Sequence, residues 1–320
     1  MSRKLVVMIP DLARQQIRRI CSAAERLGFC VSFPGSLPEA LPDLADAEVI
    51  LGQDSRLCAH APKLRWICTP SAGVDHFLKP GILGLQTVLT NSSGAYGVTI
   101  AEHVVMVTLE MLRRKAEYNE AVRQRKWIRN LHIESIRGSR IVLLGTGDIG
   151  RECAKRLRSF DPAALIGVNR GGANPGGLFD RVVTADRLDE LLPETDLLIL
   201  SLPATDETRN LMSAERLALL PETARLVNVG RGSLLDQKAL ERMLREGKLA
   251  GAALDVFSEE PISSGDSVWE CPGLLITPHI AGNMTLDYTV DRIVSQFLED
   301  LENYAGGRPL KHIVNREKAY

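Results

Sequence analysis

The hexapeptide Gly145-Thr146-Gly147-Asp148-Ile149-Gly150 constrains this chain more than any other stretch of it. It follows an apolar run, Ile141-Val142-Leu143-Leu144, and opens a segment from Gly150 to Phe160 with helical patterning. Between a strand and a helix, each of three glycines in that spacing has its own task. The first permits a tight turn, the second lets backbone approach a pyrophosphate, and the third allows the helix to pack closely on the sheet. The helix N-terminus then offers unpaired N–H groups and the positive end of its dipole to the phosphates. Alone, G-x-G-x-x-G is a weak signal. With strand, turn and helix in order it predicts a dinucleotide-binding turn.

The surrounding pattern agrees. After Ile141–Leu144, further strands are predicted at Ala164–Val168, Leu197–Leu200, Leu226–Val229, Ala252–Leu254 and Leu274–Ile276, with helices such as Gln237–Glu246 between most of them. Six strands with crossover helices are the plan of a doubly wound parallel sheet. A second alternation precedes it: Leu5–Ile9, a helix over Leu12–Leu27, then Phe29–Phe33, Val49–Leu51, Leu64–Cys68 and Thr87–Thr90. These short apolar runs broken by Pro, Gly and Asp fit parallel strands buried on both faces. Between the two alternations, Ile100, Val104, Val107 and Met111 recur at helical spacing, so Thr99–Arg114 is predicted as a long helix, its stripe widened by Val105 and Leu112. Leu286–Tyr304 is amphipathic through Ile293, Val294, Phe297, Leu298 and Leu301. Periodicity does not say where it docks. Gly171–Gly177, the densest Gly/Pro stretch, reads as a surface loop.

Composition narrows the function classes. A chain of 320 residues is about right for two domains at roughly 150 residues each. With 39 Lys plus Arg against 40 Asp plus Glu, the formal net charge of -1 gives no footprint for nucleic acid or an anionic membrane. No apolar run approaches the ~18 to 20 residues of a membrane span. Arg3 and Lys4 precede only a short apolar run, so Leu5–Ile9 is read as a buried strand rather than a signal peptide. The six cysteines are scattered without a Cys-x-x-Cys pair, as expected of reduced thiols in a cytoplasmic protein. No His, Cys or carboxylate cluster has metal-site spacing, and no metal is expected.

The chemistry gathers at predicted strand ends. In NAD enzymes the strand after the glycine turn usually ends in Asp or Glu, which bonds the ribose hydroxyls. Here Ala164–Val168 ends in Asn169-Arg170, a neutral amide and a guanidinium suited to a 2′-phosphate. Arg231 follows Leu226–Val229, Glu259-Glu260-Pro261 follows Ala252–Phe257, and Pro278-His279 follows Leu274–Ile276. Ligands of doubly wound sheets bind beyond the carboxyl ends of the strands. An Arg can hold a carboxylate bidentately, a His exchanges a proton near neutral pH, and a Glu beside it stabilises the imidazolium. Singly each residue has a bland reading; three at successive strand ends argue for a site.

These motifs carry a resemblance. Gly145–Gly150, Val227-Asn228-Val229-Gly230-Arg231-Gly232, Leu254–Pro261 and Thr277-Pro278-His279-Ile280-Ala281-Gly282 are similar to the D-isomer-specific 2-hydroxyacid dehydrogenase family. Ser71-Ala72-Gly73-Val74-Asp75-His76 resembles that family's substrate loop, and Asn91–Gly94 with Ile100-Ala101-Glu102-His103 resembles the start of its interdomain helix. The resemblance implies an α/β protein of two doubly wound parallel-sheet lobes: a Rossmann dinucleotide-binding domain, 97–282, inserted into a flavodoxin-like substrate domain, 1–96 plus 283–320, to which the last helix returns.

It further implies roles. His279 is the proton donor and acceptor, Glu260 its partner, and Arg231 the holder of the substrate carboxylate and carbonyl. Backbone N–H groups of Ala72 and Gly73 hold the carboxylate from the substrate lobe. Asp148 and Ile149 border the pyrophosphate, Asp255 binds the nicotinamide carboxamide, and Val229, Gly230, Ala281 and Gly282 complete the cofactor motifs. The implied reaction is hydride transfer between NAD(P)H and a small 2-oxo acid such as glyoxylate, hydroxypyruvate or a bulkier one. NADP is expected to be preferred over NAD, and a homodimer to form through the dinucleotide domain. A corepressor-like scaffold gated by dinucleotide is the alternative. A formate dehydrogenase relative is disfavoured because Glu260 stands where that branch carries an amide. His103 reads as structural, His76 as packing or a local hydrogen bond, and Trp269 as either pocket wall or packing; His60, His132 and His312 lack a partner at ligand spacing.

Overall fold

A computed structural model describes residues 3–316. The chain divides into two compact units, one of residues up to 96 together with those from 284 onward, the other of residues 97–283.

The first unit runs β1 (Arg3–Met8), α1 (Arg14–Arg26), β2 (Phe29–Ser32), α2 (Leu37–Leu44), β3 (Ala47–Gly52), β4 (Trp66–Cys68) and β5 (Val88–Thr90). Its five strands are all parallel and lie in the order β2-β1-β3-β4-β5. This is the flavodoxin-type order. Val49, Ile50, Leu51, Trp66 and Ile67 are fully buried, because helices cover both faces of such a sheet. Pro38 and Pro42 concealed α2 from the sequence reading. Pro38 is in the first turn, where its missing N–H costs nothing, although Pro42 is inside the helix.

The second unit runs α3 (Gly97–Leu112), α4 (Lys115–Arg123), β6 (Arg140–Leu144), α5 (Asp148–Arg158), β7 (Ala164–Val168), β8 (Arg181–Val183), β9 (Leu197–Leu200), α6 (Ala214–Leu217), β10 (Arg225–Asn228), α7 (Gln237–Arg245), β11 (Gly251–Leu254) and β12 (Leu274–Ile276). Seven parallel strands lie in the order β12-β11-β10-β9-β6-β7-β8. Counted from β6 this is 3-2-1-4-5-6 with one added strand, the dinucleotide-binding order. The sheet has one strand more than the six that the sequence predicts. The unpredicted one is β8, the third strand of that order, and β12 is the addition. β8 is an edge strand of three residues, of which only Val183 is buried, so it has almost no apolar signal. The strand order reverses between β6 and β9, the switch point at which such sheets bind ligands.

The last helix, α8 (Asp287–Ala305), belongs to the first unit. The Gln16 amide donates to Asp291 at 3.1 Å, and Phe297 stacks on Trp66 with ring centroids 5.3 Å apart. The following segment pairs Ile313 antiparallel to Thr90, on the free edge of β5. Among the described residues no helix is long and apolar enough to cross a membrane.

Candidate active site

The glycine turn after β6 is shaped by what surrounds each glycine. Gly145 has φ +108°, and a Cβ there would lie 2.8 Å from Ser201 Oγ and 3.1 Å from its carbonyl oxygen. A Cβ on Gly150 would lie 2.0 Å from the Gly145 carbonyl oxygen, so only glycine lets α5 start so close to β6. Gly147, the N-cap of α5, is different: a Cβ there would meet nothing within 4 Å. The first and third glycines are thus dictated by protein, and the second borders open space at a helix N-terminus. That arrangement fits a pyrophosphate. Asp148 looks out of place in a phosphate site. Its carboxylate, however, accepts from the Gly97 N–H at 2.7 Å, tying α5 to the start of α3.

At the end of β7 the Asn169 amide nitrogen donates to Thr146 Oγ1 at 2.6 Å and to the Ala173 carbonyl at 2.8 Å, while its oxygen accepts from the Gly171 N–H at 3.1 Å. Asn169 therefore pins the loop that carries Arg170 to the glycine turn. Arg170 is exposed. Its charge reaches Glu207, whose carboxyl is held low chiefly by the Thr205 hydroxyl and to a lesser degree by Arg170.

Three adjacent strands supply the polar constellation. After β10, the fully buried Asn228 clamps the turn: its amide donates to the Arg231 carbonyl at 2.9 Å and its oxygen accepts from the Gly230 N–H at 3.0 Å. Arg231 follows in extended backbone, with Nη1 donating to the Gly230 carbonyl at 2.8 Å. After β11, Glu260 Oε1 accepts from the Phe257 N–H at 2.8 Å, which orients the carboxylate. Its Oε2 lies 2.7 Å from Nδ1 of His279, which follows β12. The pair is half open, with side chains 52% and 34% exposed for His279 and Glu260.

His279 adopts φ +54°, a left-handed backbone uncommon for a residue with a side chain. Asp255 holds it there. This carboxylate, 3% exposed, accepts from the Ile280 N–H at 2.9 Å, the Ala281 N–H at 3.0 Å and the Thr277 hydroxyl at 2.6 Å. The Asp255 carbonyl also accepts from the His279 N–H at 2.9 Å. Much of the acceptor capacity of Asp255 is directed into the loop that carries the imidazole. Sequence reading gave Asp255 a cofactor role and did not single out Thr277 or Ser201. Nothing in their local spacing marks them, since their partners come from other strands.

In the first unit, Asn91 donates to the Ala72 carbonyl at 2.8 Å and the Ser71 hydroxyl to the Gly73 carbonyl at 2.7 Å, so the orientation of that short loop is fixed. His76 Nε2 lies 2.9 Å from the Gln53 carbonyl, 23 positions away, and its ring packs on Phe77 with centroids 4.4 Å apart. Trp269 is half exposed and donates to the Ser263 carbonyl at 2.9 Å. His312 has a partner that spacing did not reveal: its Nδ1 lies 2.9 Å from the buried Asp300 carboxylate.

Comparison with known proteins places this geometry. The family model for the D-isomer specific 2-hydroxyacid dehydrogenase NAD binding domain matches residues 105–281. A glyoxylate reductase from Thermofilum pendens is 31% identical over 284 residues, covering 86% of this chain and 83% of its own. A D-isomer specific 2-hydroxyacid dehydrogenase family protein from Aeromonas salmonicida superposes with a TM-score of 0.89 at 30% identity, over 99% of this chain and all of its own. The NADPH-dependent glyoxylate/hydroxypyruvate reductase of Sinorhizobium meliloti, solved with NADP and sulfate, has a TM-score of 0.82 at 25% identity, over 99% of this chain and 100% of its own. With its glycine turn, its strand-end constellation and these matches, the chain belongs to the D-isomer-specific 2-hydroxyacid dehydrogenase family and is an NAD(P)-dependent enzyme of it.

Proposed function

We propose that the enzyme reduces a small 2-oxo acid of the glyoxylate or hydroxypyruvate type to its D-2-hydroxy acid and prefers NADPH. The observation that carries the reading is the 2.7 Å pair of His279 and Glu260, at the end of the strand pair next to Arg231 and on the same sheet as the glycine turn. When bound, the nicotinamide supplies the hydride to the carbonyl carbon.

The chain's own groups do the rest. Arg231 takes the substrate carboxylate and polarises the carbonyl. Glu260 accepts from Nδ1 of His279, so Nδ1 carries a proton in either charge state. The imidazolium then has a proton to give at Nε2, as reduction needs. The neutral ring has a lone pair at Nε2, as oxidation needs. Asp255 contributes by fixing the loop from Thr277 to Ala281. Gly145, Gly147 and Gly150, with the backbone of Asp148 and Ile149, border the pyrophosphate; Val229, Gly230, Ala281 and Gly282 line the cofactor further along.

NADPH preference is supported by the absence of a carboxylate directly after β7 and by the exposed Arg170 in its place. A second copy of the chain is the inferred partner, through the second unit. Met106 on α3 is exposed, as are Val122, Ile128 and Ile133, and Trp127 is 90% exposed, an apolar set that water does not favour. The cysteines are free thiols, which supports a reducing cytoplasmic setting. A dinucleotide-gated scaffold without turnover is not favoured, since relatives of this chain are named reductases. The test is a panel of glyoxylate, hydroxypyruvate, pyruvate and bulkier 2-oxo acids with NADPH and NADH, with chiral analysis of the product. Turnover to D-products is expected. Cofactor binding without turnover of any 2-oxo acid would favour the scaffold.

A further inference from the structure

The carboxylate that holds the His279 loop is itself held, through one hydroxyl, by a second histidine. Thr277 Oγ1 donates to Asp255 Oδ1 at 2.6 Å and lies 3.3 Å from Nε2 of His103, a residue of α3 that is 174 positions away in sequence. A hydroxyl has one proton, and a carboxylate accepts. With the Thr277 proton committed to Asp255, the Thr277 oxygen must accept from His103, which places a proton on His103 Nε2. The chain of donors therefore has a fixed direction: His103 to Thr277 to Asp255. Asp255 in turn receives the Ile280 and Ala281 N–H groups, and its carbonyl receives that of His279. Burial pushes the His103 imidazole below the ordinary histidine range, with the Asp255 charge opposing, so a neutral Nε2–H ring is the resting state near neutral pH.

We propose that His103 is a positioning residue for His279: by donating from Nε2 to Thr277 it fixes the Thr277–Asp255 pair, and through that pair the left-handed turn that aims the catalytic imidazole. This rests on the reading of His279 as the proton donor. His103 touches neither substrate nor cofactor in this account. Its effect passes through Asp255, whose bonds over-determine a backbone conformation that would otherwise relax.

Two measurements on the whole enzyme test it. In protein labelled with 15N-histidine, long-range 1H–15N spectra near neutral pH should include an Nε2–H tautomer signal that is assigned to His103 by its loss in His103→Gln, beside the one expected of His76. The Nδ1–H tautomer at His103 would overturn the proposal. In steady-state assays with glyoxylate and NADPH, His103→Leu should lower kcat roughly three- to tenfold, the size of one net hydrogen bond, with the KM for NADPH unchanged. His103→Gln, whose amide nitrogen reaches the Nε2 position, should recover most of the rate. Equal rates for His103→Leu and His103→Gln would overturn the proposal whether both are high or both low. If His103→Leu fails to fold, the tautomer decides. His279→Asn measured alongside separates the two readings. A fully active His279→Asn removes both. An inactive one beside an unaffected His103→Leu removes only the role of His103.

Discussion

Replacing Gly232 by Ala tests how the Arg231 and Glu260 loops are held against each other. A Cβ at this position would lie 1.9 Å from the Phe257 carbonyl carbon, 2.0 Å from its oxygen and 2.4 Å from the Ser258 nitrogen. All three are backbone atoms, so no side chain can swing aside. Gly232 does not have a positive φ, and alanine is torsionally acceptable there. By chain entropy alone the substitution would stabilise by about 0.4–1 kcal/mol. The contact decides otherwise. Ordinary packing begins near 3.4 Å, so one loop must withdraw by about 1.5 Å, and overpacking of that kind costs about 1–3 kcal/mol. The displacement also reaches the chemistry, because the Phe257 N–H donates to Glu260 and Glu260 holds His279. A misplacement of about 1 Å can cost on the order of 10²-fold in rate. Gly232→Ala should therefore melt several degrees lower and lose one to two powers of ten in kcat, read by thermal unfolding and by NADPH oxidation at saturating substrate. A variant with wild-type melting and turnover would refute the reasoning.

Gly147→Ala should behave in the opposite way. Its Cβ enters open space, so stability should stay near the wild-type value, the gain in chain entropy being offset by alanine's poorer N-cap, while the methyl occupies the pyrophosphate position and raises the KM for NADPH at least several-fold; an unchanged KM would remove the cradle assignment. Arg170→Ala should erase the NADPH advantage, about tenfold in kcat/KM, since a hydrogen bond to a charged group is worth about 1.5–3 kcal/mol and exposure pushes this one to the low end. Adding Asn169→Asp should tip the preference to NADH at some loss of stability, because the two amide donations to Thr146 and Ala173 disappear; equal use of both cofactors by the wild type would refute the assignment. Trp127→Ser with Val122→Ser should shift the enzyme toward monomer in light scattering, and an unchanged mass would show that this apolar set is not the interface between copies.

Much of this was legible in the sequence, for a physical reason. A parallel sheet puts the carboxyl ends of all its strands on one edge, so a polar residue after each of several apolar runs marks a site before any coordinates exist. Asn169, Arg170, Arg231, Glu260 and His279 were singled out in that way, and each follows the carboxyl end of a strand of the second sheet. β6, β7, β9 and β10 were also legible, because a doubly covered strand is an unbroken apolar run. β8 had no such run, and two prolines hid α2. What lay beyond reach were bonds between distant segments. The tie from Asp148 to Gly97, the clamp of Asp255 on Ile280 and Ala281, and the meeting of His103 with Thr277 depend on how loops are brought together by the sheet. Local spacing carries no record of them.

In the proposed reaction His279 moves the proton. The most direct measurement is the single-turnover rate of His279→Asn with glyoxylate or hydroxypyruvate and prebound NADPH, paired with a fluorescence titration of NADPH. The rate should fall by ~10²- to 10⁴-fold with cofactor affinity essentially unchanged. An undiminished rate in the purified variant, with the same cofactor affinity, would contradict that role.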